Sequence, residues 1–241
     1  MNNKSKKVLL CVFILIAILV VLIVIPKGKQ EKVNEDALKF KEDYEAFNNK
    51  TNSSGKTYRS VNIDKNNPFI YKTEDDIVSM MNNKETFIVY FGFNTCPWCR
   101  SVIEELVSVS KDLKINTIYY VNIRPNDVDI RDTITINDDG SYEKTKEGTS
   151  GYNKLLELMD NVLSNYSRSD KDGNSVDVHE KRIYAPNVVA VLKGKSIKLD
   201  TGISDSQNDA YMDLTTEMKK ETYDKFKEVL KSIQIECNEA C

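Results

Sequence analysis

Cys96 and Cys99 are spaced for chemistry. In "FIVYFGFNTCPWCRSVIEEL", residues 87–106, they bracket Pro97 and Trp98 where an apolar run passes into a helical pattern. A cysteine at a helix start lies among free backbone N–H groups and the positive end of the helix dipole, which together stabilise a thiolate. Proline suits the first helical position, because its missing donor costs nothing there and its φ is already set. Cysteines three apart on such a turn have Cα atoms about 5–6 Å apart, within disulfide range. The spacing predicts an exposed, nucleophilic Cys96 and a resolving Cys99 one turn further in. A CxxC pair is also half of a structural zinc site, which needs four ligands. The remaining soft ligands are Cys237, Cys241 and the single histidine, His179. None has finger-like spacing to the pair, so redox chemistry is expected and no metal is. His179, in the polar stretch "VDVHEKR", reads as a solvated surface residue.

These cysteines need a strand and a helix to hold them. "ETFIVYFGF" has strand length and a β-rich composition without alternation, as suits a central strand buried on both faces. It feeds the helix "PWCRSVIEELVSVSKDL", where Val102, Leu106, Val109 and Leu113 make one apolar face. "NTIYYVNI" is a second buried strand and completes a β-α-β unit with a parallel pair. Upstream, "YRSVNI" and "PFIYKT" read as short strands and "EDDIVSMMNN" as an amphipathic helix. Residues 124–182 break the alternation. Their turn signals "NDDGS" and "SDKDGNS" flank a helix at "GYNKLLELMDNVLSNY", with Leu155, Met159, Val162 and Tyr166 on one face. "DKDGN" lacks the acidic spacing and closing glutamate of a calcium loop. Beyond it, "IYAPNVVAVLKGKSIKLDTG" reads as a strand, a turn at Lys193–Lys195 and a second strand, and "EMKKETYDKFKEVLKSI" as a closing helix.

The composition, 40% hydrophobic and 29% charged over 241 residues, is that of a globular chain. With 34 Lys+Arg against 37 Asp+Glu there is no basic excess, and nucleic acid is not expected as a partner. The N-terminal stretch from Val8 to Ile25 is an uncharged apolar run of 18 residues closed by Pro26. At the helical rise it spans about 27 Å, a membrane length. No small-x-small cleavage site follows, which predicts a single-pass anchor in the cell membrane with the C-terminal domain outside the cytoplasm, or a secreted protein if the segment is cleaved. Cys11, inside the run, reads as a small hydrophobe. The expected organisation is a cytoplasmic N-terminus (1–7), an anchor (8–25), a stalk and linker (26–59) with a helical pattern at "EDALKFKEDYEAF", a folded domain (60–235) and a tail (236–241). In that tail Cys237 and Cys241 form a possible second disulfide. It could act as a structural clip or as a second couple exchanging with Cys96 and Cys99, or the two could be unpaired or metal-binding thiols.

The order of strand "FIVYFGF", "CPWC", helix, strand "NTIYYVNI", then "YAPNVVAVLKGKSI" and a last helix resembles the thioredoxin fold family over roughly residues 60–235. The whole chain looks like bacterial membrane-anchored thioredoxin-like proteins with an enlarged loop before the cis-proline strand. The resemblance implies an α/β fold, with a thioredoxin-like central mixed sheet flanked by helices. It also nominates Pro186 as a cis proline beside the active-site disulfide, with Ala185 before it and Asn187 after it. Pro97, Trp98 and Ala185 become helix-start and substrate contacts. The implied activity is thiol–disulfide exchange on exported proteins, without a cofactor. Its partners would be protein thiols or disulfides outside the cytoplasm and a membrane or extracellular redox partner. The Pro-Trp dipeptide is closer to the Pro-aromatic dipeptides of glutaredoxins and disulfide-bond proteins than to the Gly-Pro of thioredoxins. Where the family places a buried aspartate six residues before the nucleophile this chain has Tyr90, and Tyr120 falls at about the family's lysine position. Any proton relay must therefore differ, and the plain reading of such tyrosines is packing with satisfied hydroxyls. Two alternatives stand beside the enzyme: a non-catalytic accessory protein for peptide or protein export, with a merely structural disulfide, and metal delivery.

Overall fold

β2 (Phe87–Gly92) is buried along its whole length, which its unbroken apolar composition requires. The structure, a computed structural model, describes residues 34–239, with side chains as far as Gln234. In it β2 pairs in parallel with β3 (Ile118–Asn122), Tyr90 opposite Tyr120, and antiparallel with β8 (Asn187–Leu192), Tyr90 opposite Val188. β1 (Phe69–Tyr71) lies parallel on the far side of β3, and β9 (Lys195–Asp200) antiparallel on the far side of β8. The order of this five-stranded mixed sheet is β1-β3-β2-β8-β9.

The period of two along each strand sorts side chains to two faces. Ile88, Tyr90, Ile118, Tyr120, Val188 and Ala190 share one core with α1 (Glu35–Glu45), α3 (Pro97–Asp112) and α5 (Thr216–Glu239). Phe87, Val89, Phe91, Val121, Val189 and Val191 share the other with α2 (Glu74–Asn82) and α4 (Ser150–Met159). The fold is α/β, a mixed sheet flanked by helices. Val102, Leu106 and Val109 of α3 are buried as their spacing predicts, and Leu113 caps the helix half-buried.

The segment expected to be a stalk departs from that reading. Ala37, Phe40 and Tyr44 form the buried stripe of α1, and Phe40 stacks on Phe69 with ring centroids 3.9 Å apart. "YRSVNI" forms no strand. Its alternation does bury Val61 and Ile63, while its backbone bonds to side chains: Val61 N–H to Asn48 Oδ1 at 2.9 Å and Ile63 N–H to Glu45 Oε1 at 2.9 Å. Those partners satisfy the polar backbone that a sheet would otherwise pair.

Between β3 and β8 stand two hairpins, β4 (Thr133–Ile136) with β5 (Tyr142–Lys146) and β6 (Asn165–Ser169) with β7 (Ser175–Lys181). Their turns fall at the two Asp-Gly signals, where Gly140 and Gly173 take φ of +81° and +85°. The helix expected to reach Tyr166 stops at Met159. Asn161 exchanges hydrogen bonds with Ser196 on β9, and Tyr166 is instead buried in β6 with Ile134 and Val178. His179 is exposed. The apolar run from Val8 to Ile25 with Cys11, the Cys237 side chain and Cys241 lie outside the described residues. No helix among the described residues is long and apolar enough to cross a membrane.

Candidate active site

β2 ends at Gly92 and the chain turns through three residues into Cys96, whose extended backbone (φ −76°, ψ 116°) makes it the N-cap of α3. Pro97 occupies the first helical turn. The Cys99 N–H donates to Cys96 Sγ at 3.1 Å, so the sulfur does what a serine or aspartate oxygen does at other helix starts. The Cys96 thiol donates to the Ala185 carbonyl at 3.4 Å, and the Ala185–Pro186 peptide bond is cis. Both cysteines are free thiols. Trp98 and Ala185 pack half-buried against the core around them, and Pro186 is buried. The structure therefore gathers Cys96, Pro97, Trp98, Cys99, Ala185 and Pro186 in one place. The expected exposure of Cys96 needs correction: it is 3% exposed, against 0% for Cys99, because the segment at Ala185 closes over it.

The two sulfurs differ in their electrostatics. Burial works to push the Cys96 thiol up, but hydrogen bonds from Cys99 and from the Trp98 and Cys99 backbone, with the Arg131 charge, outweigh it and hold the thiol below its ordinary value. Burial pushes Cys99 well up, the neighbouring Cys96 adds to the rise, and the Tyr90 hydroxyl and Phe93 backbone oppose it. Arg131 comes from the insertion. Asp129 grips it through Nε at 2.9 Å and Nη2 at 2.8 Å, and its Nη1 points to the Ile183 carbonyl at 3.4 Å, two residues before Ala185.

No protein-family model matches the chain, and no curated protein does. The site's own residues carry its chemistry.

Among these, Arg100, Tyr44 and Arg131 were not anticipated. Arg100 is buried without a carboxylate partner. Its guanidinium donates to the carbonyls of Arg59 (2.7 Å), Tyr44 (2.7 Å) and Asn94 (3.0 Å) and to Asn48 Oδ1 (2.6 Å). One fork thereby joins α1, the segment after it and the turn before Cys96 to the residue next to Cys99. Tyr44 reaches from α1 to Tyr90, hydroxyl to hydroxyl, at 2.9 Å. The 3,4-spacing of Ala37, Phe40 and Tyr44 marks that helix as having a buried stripe, the signal that could have found it. Nothing local in the sequence indicates the roles of Arg100 or Arg131.

Proposed function

We propose that this chain is a thiol–disulfide oxidoreductase of the thioredoxin-like class, working on exported proteins through Cys96 and Cys99. The observation that carries the reading is the pairing at the start of α3: a sulfur that caps the helix, accepts the Cys99 N–H at 3.1 Å and lies 3.4 Å from the carbonyl before a cis proline. The mixed sheet, with β1, β3 and β2 parallel and β8 and β9 antiparallel, supports the thioredoxin-like part.

In this reading the Cys96 thiolate attacks a protein disulfide. One substrate sulfur leaves as a thiolate and the other stays bonded to Cys96. Cys99 then attacks Cys96 Sγ, the intramolecular disulfide forms, the mixed disulfide breaks and the second substrate sulfur takes up a proton. Two electrons pass to the substrate, and a membrane or extracellular redox partner restores the dithiol; run backwards, the same steps oxidise a substrate dithiol. The apolar segment Val8–Ile25 would hold the domain at the outer face of the membrane.

Turnover with a protein disulfide tests this against the accessory-protein reading. Cys96→Ser should bring exchange down to the uncatalysed rate, and Cys99→Ala should accumulate mixed disulfides on Cys96 that mass spectrometry detects. Unchanged turnover in Cys96→Ser would leave a binding protein with a structural cysteine pair.

A further inference from the structure

Behind Cys99 the core holds hydroxyls instead of carboxylates. Tyr44, Tyr90 and Tyr120 are all buried, come from α1, β2 and β3, and share one cluster with Cys96 and Cys99. Tyr90 and Tyr120 stack with ring centroids 5.5 Å apart. A Cβ built at Gly92 would lie 2.4 Å from the Tyr90 hydroxyl oxygen, so the Tyr90 side chain lies folded against the very end of β2, where the chain leaves for the cysteines. The Tyr120 hydroxyl donates to the Gly92 carbonyl at 3.4 Å. The Tyr90 oxygen lies 2.9 Å from that of Tyr44.

We propose that Tyr44 and Tyr90 form a directed chain of hydroxyl donors, Tyr44 O–H to Tyr90 and Tyr90 O–H to Cys99 Sγ, that solvates the Cys99 thiolate at the resolving step. The proposal rests on the exchange reading above and assigns its second half. When Cys99 attacks Cys96 Sγ, its proton must leave and negative charge must exist on a sulfur that water does not reach. A buried anion without donors is costly, and a hydrogen bond to a charged group is among the stronger ones. The titratable groups that share the buried cluster with Cys99 are Tyr44 from α1, Tyr90 from β2, Tyr120 from β3 and Cys96 on its own helix. The Asp43 carboxylate is engaged elsewhere, accepting from the Tyr71 hydroxyl at 2.6 Å. Tyrosines held neutral cannot serve as the base. The proton of Cys99 therefore goes outward, to solvent or, for an alkyl substrate thiol, to the departing sulfur, while the tyrosine hydroxyls stabilise the charge on Cys99 Sγ. Either hydroxyl of the Tyr44–Tyr90 pair can donate, and donation from Tyr44 leaves the Tyr90 proton for Cys99, whose thiol a Tyr90 hydrogen bond lowers against its burial. Arg100 gives the chain its geometry, because its Nη1 binds the Tyr44 carbonyl at 2.7 Å.

The test separates the two halves of exchange. The full chain in detergent, with Cys11, Cys237 and Cys241 replaced by serine, is reduced and mixed in a stopped-flow instrument with an aromatic disulfide that releases coloured thiolate. The first release reports attack by Cys96, and the second reports attack by Cys99 on the mixed disulfide. In Tyr90→Phe the pH midpoint of the second release should rise by about one to two units, the value of a hydrogen bond to a charged group, while the first keeps its midpoint. Tyr44→Phe, which leaves Tyr90 in place, should shift the second release in the same direction by less. Wild-type midpoints for the second release in both variants would overturn the assignment and leave the exchange reading intact. A wild-type protein that releases no second thiolate would overturn both.

Discussion

The two faces of the sheet are built differently. Beneath the dithiol the core is aromatic and hydroxyl-bearing: Phe40, Tyr44, Phe69, Tyr90 and Tyr120 lie ring against ring, with Arg100 held by four oxygens at its edge. Across the sheet, Met80, Met81, Leu155 and Met159 pack on Phe and Val side chains. Methionine fills irregular space with little geometric demand, whereas a buried hydroxyl or guanidinium must find its partners and so sets orientation. The more directional of the two cores therefore lies beneath Cys96 and Cys99. Its use of α1 explains why a segment before the first strand belongs to the site at all.

The largest expected difference appears at high pH. Burial, with the nearby tyrosines and Cys99, raises the pKa of Tyr44, Tyr90 and Tyr120, so the folded state keeps protons that the unfolded chain releases above about pH 10. Stability is complete below that value and falls as pH rises past it, by about 1.4 kcal/mol per pH unit for each tyrosine and about 4 for the three together. Urea titrations between pH 9 and 12 should show this slope. It should flatten by about 1.4 kcal/mol per pH unit in Tyr120→Phe, and a pH-independent midpoint would mean the hydroxyls are accessible to water.

Arg100→Ala should cost about 3–5 kcal/mol in the same assay, since three carbonyls and Asn48 lose their common donor. Arg100→Lys should recover little of it, because an ammonium cannot reach four acceptors in a fork. Full recovery by lysine would reduce Arg100 to a buried charge without a geometric role. Met159→Ala tests the opposite face. A cavity there should cost about 2–5 kcal/mol and leave the Cys96 titration where it was. A moved Cys96 midpoint would show that the faces are coupled through the sheet. The smallest change, Gly92→Ala, adds one methyl against Tyr90 and should cost about 1–3 kcal/mol. It should also slow the Cys99 step selectively, and an unaltered second release would mean that Tyr90 adjusts without consequence for the sulfur.

Much of this architecture was legible in the order of residues, for physical reasons. The run in β2, the face on α3 and the Asp-Gly turns are local signals, and each formed the element that its periodicity or turn chemistry predicts. The pair Cys96 and Cys99 announces itself by spacing, and Pro186 was nominated only through resemblance to a family. The helix through Tyr166 was misread because periodicity cannot see that Asn161 anchors to Ser196 and that a hairpin buries the tyrosine.

What the sequence determined by itself is thus the central elements, β2, α3 and β3, and the cysteines at a helix start, because backbone geometry there depends on near neighbours. Only the tertiary structure decided what surrounds each sulfur. The Ala185 carbonyl closes over Cys96 from 89 residues away, and Tyr44 meets Tyr90 across 46 residues. Arg131 reaches the site from the insertion, and Arg100 binds α1 56 residues before it. A thiol's ionisation is set by charges and donors within a few ångströms, and those come from parts of the chain that only folding brings together.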